Sequence, residues 1–157
     1  MSIRIHWDKV KIYAISIIVP LALGALVGLI TSQFMDYEML NKPPLAPPSI
    51  LFPIAWSILY LLMGIGYGML KVDGIANGSA RMLYIAQLAV NLLWPVAFFV
   101  LKWRLFAFIW ILLLDALVIA MAVSFYRRKT SAGLLQLPYI LWVLFASYLN
   151  LGIVLMN

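Results

Sequence analysis

Five long apolar stretches limit what this chain of 157 residues can fold into more than any other feature. Each is close to the ~20 mainly apolar residues that an α-helix needs to cross a bilayer. They cover residues 12–31, 49–70, 81–101, 105–126 and 133–156. The alternating pattern of a transmembrane β-strand is missing from them. The sequence therefore predicts an all-α integral membrane protein, with residues 1–157 forming a single domain that is a bundle of five transmembrane helices.

The composition excludes most other classes of protein. Hydrophobic residues make up 66% of the chain and charged residues 10%, whereas a soluble domain is about half apolar and about a quarter charged. Intrinsic disorder is excluded on the same grounds. The 11 basic residues are scattered between apolar runs, so we expect no nucleic-acid partner. Because the chain has no Cys and its one His, His6, has no clustered carboxylates beside it, we also expect no metal site.

The basic residues are distributed unevenly between the two ends of the predicted bundle. The N-terminal end collects Arg4, Lys9, Lys11, Lys71, Arg81, Arg127, Arg128 and Lys129, and the other end collects Lys42, Lys102 and Arg104. The excess of basic residues marks the cytoplasmic side, which places the C-terminus and the loop 32–48 outside. The first stretch is too long for the apolar region of a signal peptide, so we expect a retained helix, kinked at Pro20.

Polar and aromatic side chains interrupt the apolar spans at helical spacing. Asp115 lies at the middle of the fourth span, where an unpartnered Asp costs about 2.5–3.5 kcal/mol, so a partner must face it. Residues three or four apart share one helix face, and the faces found in this way are Trp56 and Tyr60; Gln87, Asn91 and Trp94; and Tyr139, Trp142, Ala146 and Asn150. If they converge, the bundle holds an aromatic cavity for a large, flat, mostly apolar ligand. The alternative is that the amides hydrogen-bond between helices and Asp115 makes a structural contact.

Two further patterns each have two interpretations. The loop 32–48 ends with four prolines in six residues, which hold the chain in a stiff polyproline-like path. It either returns the chain to the next helix or forms a semi-rigid lid over one end of the bundle. Two Gly-xxx-Gly motifs, at Gly24 and Gly28 and at Gly64 and Gly68, indicate close helix contacts, either inside one bundle or between two copies of the chain.

Several segments carry a resemblance to a known family. They are residues 40–43 with Pro47 and Pro48; residues 52–56 with Leu59 and Tyr60; residues 87–94; Asp115; and Pro138, Tyr139, Trp142, Phe145, Ala146, Leu149 and Asn150. In this combination the chain resembles the translocator-protein family (TspO/MBR), whose members are also called tryptophan-rich sensory proteins or peripheral-type benzodiazepine receptors. The matching segments run from the first loop to the last helix.

The resemblance implies a five-helix bundle, often a homodimer, that works as a membrane receptor or carrier with a sensory or transport role. It implies a cavity that binds tetrapyrroles such as protoporphyrin IX, sterols and benzodiazepine-type ligands, with porphyrin as a ligand rather than a required cofactor. Trp56, Asn91, Trp142 and Ala146 would line this cavity, and Asp115 would face it or support its wall. With the helix faces found above, the candidate ligand-binding residues are Trp56, Tyr60, Gln87, Asn91, Trp94, Asp115, Tyr139, Trp142, Ala146 and Asn150. The candidate lid residues are Leu40, Lys42, Pro43, Pro47 and Pro48.

Departures from the family pattern bear on the competing functions. Asp36 and Tyr37 stand where members often carry Trp and Tyr, and Leu151 follows Asn150 where animal members carry a proposed sterol motif. The short termini suit a prokaryotic cell membrane, with a bacterial or mitochondrial outer membrane as the alternative. Some members are reported to degrade porphyrin in light and oxygen, for which Trp56 and Trp142 would be the candidates. The missing loop Trp favours binding over such catalysis, so no catalytic residue is assigned. A third hypothesis is a proton-coupled exporter that uses Asp115.

Overall fold

The computed structural model describes the backbone of residues 2–157 and the side chains from His6 onward. Its helices are α1 (Ser2–Ser32), α2 (Leu51–Val72), α3 (Gly78–Pro95), α4 (Arg104–Arg128), α5 (Thr130–Leu134) and α6 (Leu137–Met156). A 3₁₀ turn lies at Tyr37–Met39, and α3 continues into a π-helical segment, Val96–Val100. Five spans are long and apolar enough to cross a membrane, the last of them formed by α5 and α6 together. The prediction of an all-α bundle of five transmembrane helices is confirmed.

The last span differs in detail from the single helix predicted for residues 133–156. It begins at α5 and is interrupted before α6. Pro138 lies in the first turn of α6, where its missing N–H has no helical partner to lose. Pro20 lies inside α1, which is helical on both sides of it. Arg4, which contributes to the charge count above, lies outside the part of the chain whose side chains are described.

The five spans form a closed ring. Helix α1 packs against α2, α2 against α5, α6 against α4, α4 against α3, and α3 against α1. Gly64 lies so close to α1 that a Cβ there would meet the backbone of Ser16 and Ile17, and Gly68 lies against the ring of Tyr13. The second Gly-xxx-Gly motif therefore packs helices together inside one bundle.

The two ends of the ring are packed differently. The end that holds the N-terminus is filled by buried side chains such as Met63, Leu70 and Phe125, and by the stacked rings of Tyr67 and Tyr84, whose centroids are 4.0 Å apart. Outward-facing side chains such as those of Ile58, Met82, Ile109 and Leu141 are apolar and exposed, as expected of a surface that faces lipid. The other end, beside the loop 32–48, is hollow.

Candidate ligand cavity

A cavity of about 700 Å³ occupies the hollow end of the bundle. This volume falls within the range of about 300–1,000 Å³ typical of small-molecule sites. Its walls come from the second half of α1, the first half of α2, the end of α3 with its π-helical segment, and the second half of α6. Six of the predicted ligand-binding residues line it: Trp56, Tyr60, Asn91, Trp94, Ala146 and Asn150. The helix faces read from the sequence therefore do converge.

The α3 side of the cavity is an aromatic wall built around a proline. Pro95 has no backbone N–H to donate, and the helix widens into the π-helical segment directly after it. Both Phe98 and Phe99 line the cavity although they are neighbours in sequence. The ring centroids of Trp94 and Phe98 are 4.9 Å apart, and those of Phe98 and Phe99 are 4.8 Å apart. Neither Phe98 nor Phe99 was predicted from the sequence, although a proline inside an apolar span was an available signal for them.

A chain of hydrogen bonds forms the floor of the cavity. The hydroxyl of Tyr60 donates to Oδ1 of Asn91 at 2.8 Å, and Nδ2 of Asn91 donates to the hydroxyl of Tyr139. That hydroxyl donates to Oε1 of Gln87 at 2.7 Å, and Nε2 of Gln87 donates to the carbonyl of Tyr84 at 3.0 Å. Asn91 and Tyr60 line the cavity, whereas Gln87 and Tyr139 lie behind them. The chain joins α2, α3 and α6, so Asn91 both faces the cavity and connects helices.

Asp115 and Trp142 also lie behind the cavity wall. Helix α4 sits outside the wall that α3 and α6 form, and it contributes no lining residue among those described. Asp115 on α4 instead accepts a hydrogen bond from Ser147 Oγ at 2.7 Å. Trp142 packs edge-on against Trp56, with ring centroids 6.4 Å apart. Of the candidate ligand-binding residues, Gln87, Asp115, Tyr139 and Trp142 are therefore placed behind the wall, where Asp115 supports it as the second of its two expected roles.

The Pro-rich loop does not cover the cavity with the residues expected to form a lid. None of Leu40, Lys42, Pro43, Pro47 and Pro48 lines it; the lining residues between α1 and α2 are Met35 and Tyr37. The hydroxyl of Tyr37 donates to the carbonyl of Pro47 at 2.7 Å. Burial raises the pKa of Tyr37, and the Glu38 carboxylate adds to this effect, so the phenol stays protonated and able to donate. Tyr37 is thus a lining residue from the loop that was not predicted from the sequence.

The candidate lid residues act instead as supports. The ammonium of Lys42 donates to the carbonyls of Tyr37 at 2.9 Å, Glu38 at 3.3 Å and Leu40 at 3.1 Å. Pro43 packs against Gly152 of α6, where an added Cβ would meet the proline ring. These contacts fix the loop in one position and hold Tyr37 against the cavity.

The loop is also fastened to the C-terminal half of α6. Tyr148 donates to the carbonyl of Pro44 at 2.7 Å, and Asn41 and Asn157 exchange hydrogen bonds at 3.0 and 2.9 Å. Such a network of backbone and side-chain partners makes the segment a fixed strap rather than a mobile linker.

An ion-pair cluster lies beside the cavity at its loop end. The guanidinium of Arg104 donates to Oδ2 of Asp36, and the ammonium of Lys102 lies 3.6 Å from the same oxygen. The Cζ of Arg104 is 5.4 Å from the ring centroid of Phe98, which lines the cavity. Within residues 6–157, whose side chains are described, no charged residue lines the cavity itself.

Asn150 connects this charged cluster to the cavity wall. Its Oδ1 accepts from the indole N–H of Trp94 at 3.1 Å, and its Nδ2 donates to the backbone carbonyl of Arg104 at 3.0 Å. These bonds satisfy buried polar groups that hydrocarbon could not. The polar atoms of the cavity are therefore few, fixed in place and uncharged.

Comparison with known proteins finds one family model and several relatives that match most of this chain. The family model described as TspO/MBR family matches residues 16–156. The "Tryptophan-rich protein TspO" of Archaeoglobus fulgidus is 39% identical over 145 residues, which cover 90% of this chain and 94% of the relative. The "Tryptophan-rich sensory protein" of Cereibacter sphaeroides is 36% identical over 122 residues, 77% of this chain and 76% of the relative. The "Translocator protein" of Ovis aries is 36% identical over 121 residues, covering 74% of this chain and 72% of the relative.

Proposed function

Since the chain belongs to the TspO/MBR family of integral membrane proteins, we propose that it is a membrane receptor or carrier that binds tetrapyrroles such as protoporphyrin IX in its cavity. Sterol-like and benzodiazepine-type molecules are further ligands of the same apolar, flat class. The role would be sensory, regulatory or transport. In this proposal the porphyrin is a ligand, and the chain needs no cofactor.

The observation that carries the proposal is the chemistry of the cavity wall. Rings from α2 and α3, including those of Trp56, Trp94 and Phe99, surround a space of about 700 Å³ that the hydrogen-bonded amides of Asn91 and Asn150 also line. Aromatic rings favour the face or edge of another flat π-system, and a small number of placed polar groups fixes the orientation of a ligand. A flat, largely apolar macrocycle matches both features.

Titration of the purified protein with protoporphyrin IX, followed by quenching of Trp fluorescence, tests the proposal. Ala146 lines the cavity and is 7% exposed, so Ala146→Phe fills part of the space that the ligand needs. We expect it to weaken saturable binding at least about tenfold, a loss of ~1.4 kcal/mol. Ala116 lies on the exposed face of α4, and Ala116→Phe is the matched control that should bind as the wild type does. Quenching no greater than that of free Trp with empty micelles would refute the proposal.

A second candidate function is degradation of the porphyrin in light and oxygen. It is favoured by one observation, the edge-on contact between Trp56 on the wall and Trp142 behind it, which places two oxidisable indoles in line with the cavity. The absorbance of protoporphyrin under illumination would fall more slowly with Trp56→Phe than with the wild type. Equal bleaching would exclude this role for Trp56. The exporter hypothesis has less support, because Asp115 does not line the cavity.

Orientation and assembly belong to the same proposal. The N-terminus would be cytoplasmic in a prokaryotic cell membrane, since the described basic residues are concentrated at that end. A C-terminal tag that is protected from external reagents in intact cells would contradict this orientation. A homodimer in the bilayer would appear as a cross-linked species of twice the chain mass, and its absence at saturating cross-linker would contradict it.

A further inference from the structure

The geometry points to Lys102 as the residue that binds the carboxylate of an amphipathic aromatic ligand whose apolar body fills the cavity. This inference rests on the proposed function and adds the charge specificity of the same site. It starts from the absence of charged side chains on the described cavity wall. A carboxylate placed inside such a cavity would lose its hydration without gaining a counter-ion, which is costly. An acidic ligand must therefore direct its carboxylate out of the cavity.

The charged cluster at the loop end is the nearest destination in the fold. Asp36 lies between two lining residues, Met35 and Tyr37, and Met35 is 39% exposed. Lys102 approaches Asp36 to 3.6 Å. It also follows Phe99, a wall residue, by three positions. Its ammonium is thus held beside the loop end of the cavity.

Lys102 is the most exposed of the three basic residues at this end. Lys42 directs its ammonium at three backbone carbonyls, and Arg104 is hydrogen-bonded to Asp36. That close pair already balances the Asp36 carboxylate, so Lys102 adds one uncompensated positive charge. Its side chain is 57% exposed and makes only the looser contact. A free ammonium in this position attracts an anion without having to give up a strong partner.

The backbone at Lys102 supports a role for its side chain. Lys102 has a φ of 56°, in the left-handed region that favours Gly or Asn. The connection between Val100 and Arg104 is three residues long, and it points this side chain toward Asp36. A residue with a long charged side chain stands where the backbone alone would favour glycine, and such positions are enriched at functional sites.

The test compares an acid with its ester. Protoporphyrin IX and its dimethyl ester share the macrocycle and differ in the two carboxylates, so the ratio of their affinities isolates the charge contribution. Lys102→Asn removes the charge and tolerates the left-handed backbone. We expect it to weaken binding of the diacid about two- to fivefold, the range of an exposed ion pair, and to leave the ester unchanged. Lys102→Arg should keep the preference, and added salt should reduce it only where the charge is present.

The control is Lys71→Gln, which removes one charge at the opposite end of the bundle and should leave both affinities unchanged. A diacid-to-ester ratio that is the same in Lys102→Asn and the wild type would overturn the inference, and so would equal weakening of both ligands. In either result the proposed function stands, because the wild type binds. Failure of both ligands to bind the wild type would instead refute the proposed function and this inference with it.

Discussion

Replacing Tyr139 by Phe tests whether the hydrogen-bonded floor holds the bundle together. Its hydroxyl accepts from Asn91 and donates to Gln87, and the residue is 1% exposed. The substitution keeps the ring and removes only the oxygen, so both partners lose a bond where water cannot replace it. Hydrogen bonds in membrane proteins contribute about 0.6 kcal/mol on average and up to about 1.7. We therefore expect Tyr139→Phe to lower the free energy of unfolding by about 1–3 kcal/mol.

Thermal unfolding in detergent, followed by circular dichroism, measures the effect. For a chain of this size about 1 kcal/mol corresponds to a shift in Tm of about 2–4 °C. Tyr126 lies on the exposed end of α4, and Tyr126→Phe is the matched control that should leave Tm unchanged. A double-mutant cycle with Gln87→Met separates the Tyr139–Gln87 bond from other effects, because removing both partners costs less than the two single changes together. An unchanged Tm for Tyr139→Phe would refute the structural role of the floor.

Three further predictions concern other parts of the molecule. Lys42→Met removes the donor to three carbonyls and should cost about 1 kcal/mol, seen as faster limited proteolysis within the loop 32–48; unchanged cleavage would contradict the strap. Gly64→Ala drives a Cβ into the α1 backbone whereas Gly28→Ala meets open space, so the first should lower Tm and the second should not. Because burial raises the pKa of Tyr37 above 10.0, the folded state keeps this proton longer than the unfolded state, and stability falls as pH rises above about 10. Tyr37→Phe should show a shallower alkaline loss of stability than the wild type, and an identical pH profile would refute this.

The fold was predictable because a membrane span has a fixed length. Backbone groups in hydrocarbon must be bonded within the helix, so each apolar stretch had to become a helix, and only the ends were free to vary. The break before α6 escaped prediction because a single Gln and a nearby proline, Gln136 and Pro138, do not locate the last residue of α5. The side-chain amide of Gln136 donates to the carbonyl of Leu62 on α2 at 3.4 Å, a tertiary contact that the sequence pattern does not show.

The sequence predicted which helix faces line the cavity, but not how far along each helix the cavity extends. Helical spacing identified the faces that carry Trp56, Asn91 and Ala146, and these faces meet. The same faces continue one turn further, to Gln87 and Tyr139, where the interior is filled. Periodicity cannot locate the level at which a cavity ends, because that depends on residues of other helices. The family resemblance also did not separate the wall from what lies behind it, as Trp142 illustrates.

The contribution of α1 was invisible to a search for polar and aromatic residues. Its cavity face includes Gly24, Ala25 and Gly28, whose common feature is small size. An added Cβ at Gly24 would meet the ring of Tyr60, so this glycine makes room for a floor residue of α2. The first Gly-xxx-Gly motif thus borders the cavity, whereas the second seals the filled end.

This division explains how one small bundle can be both stable and hollow. The close contacts that fasten α1 to α2 lie at Gly64 and Gly68, below the floor, and the loop is tied to α6 by Tyr148 and Asn157 above it. Between these two sets of contacts α1 can carry small residues, because the helices are already held together on both sides of the cavity.

Substitution of a larger residue on the cavity face of α1, such as Gly28→Leu, should therefore reduce ligand affinity while Tm stays close to that of the wild type. A substitution at Gly64 should do the reverse, lowering Tm before it changes the cavity. If both sites changed affinity and Tm in proportion, the two ends of the bundle would be one cooperative unit, and the separation of binding from stability argued from these contacts would be wrong.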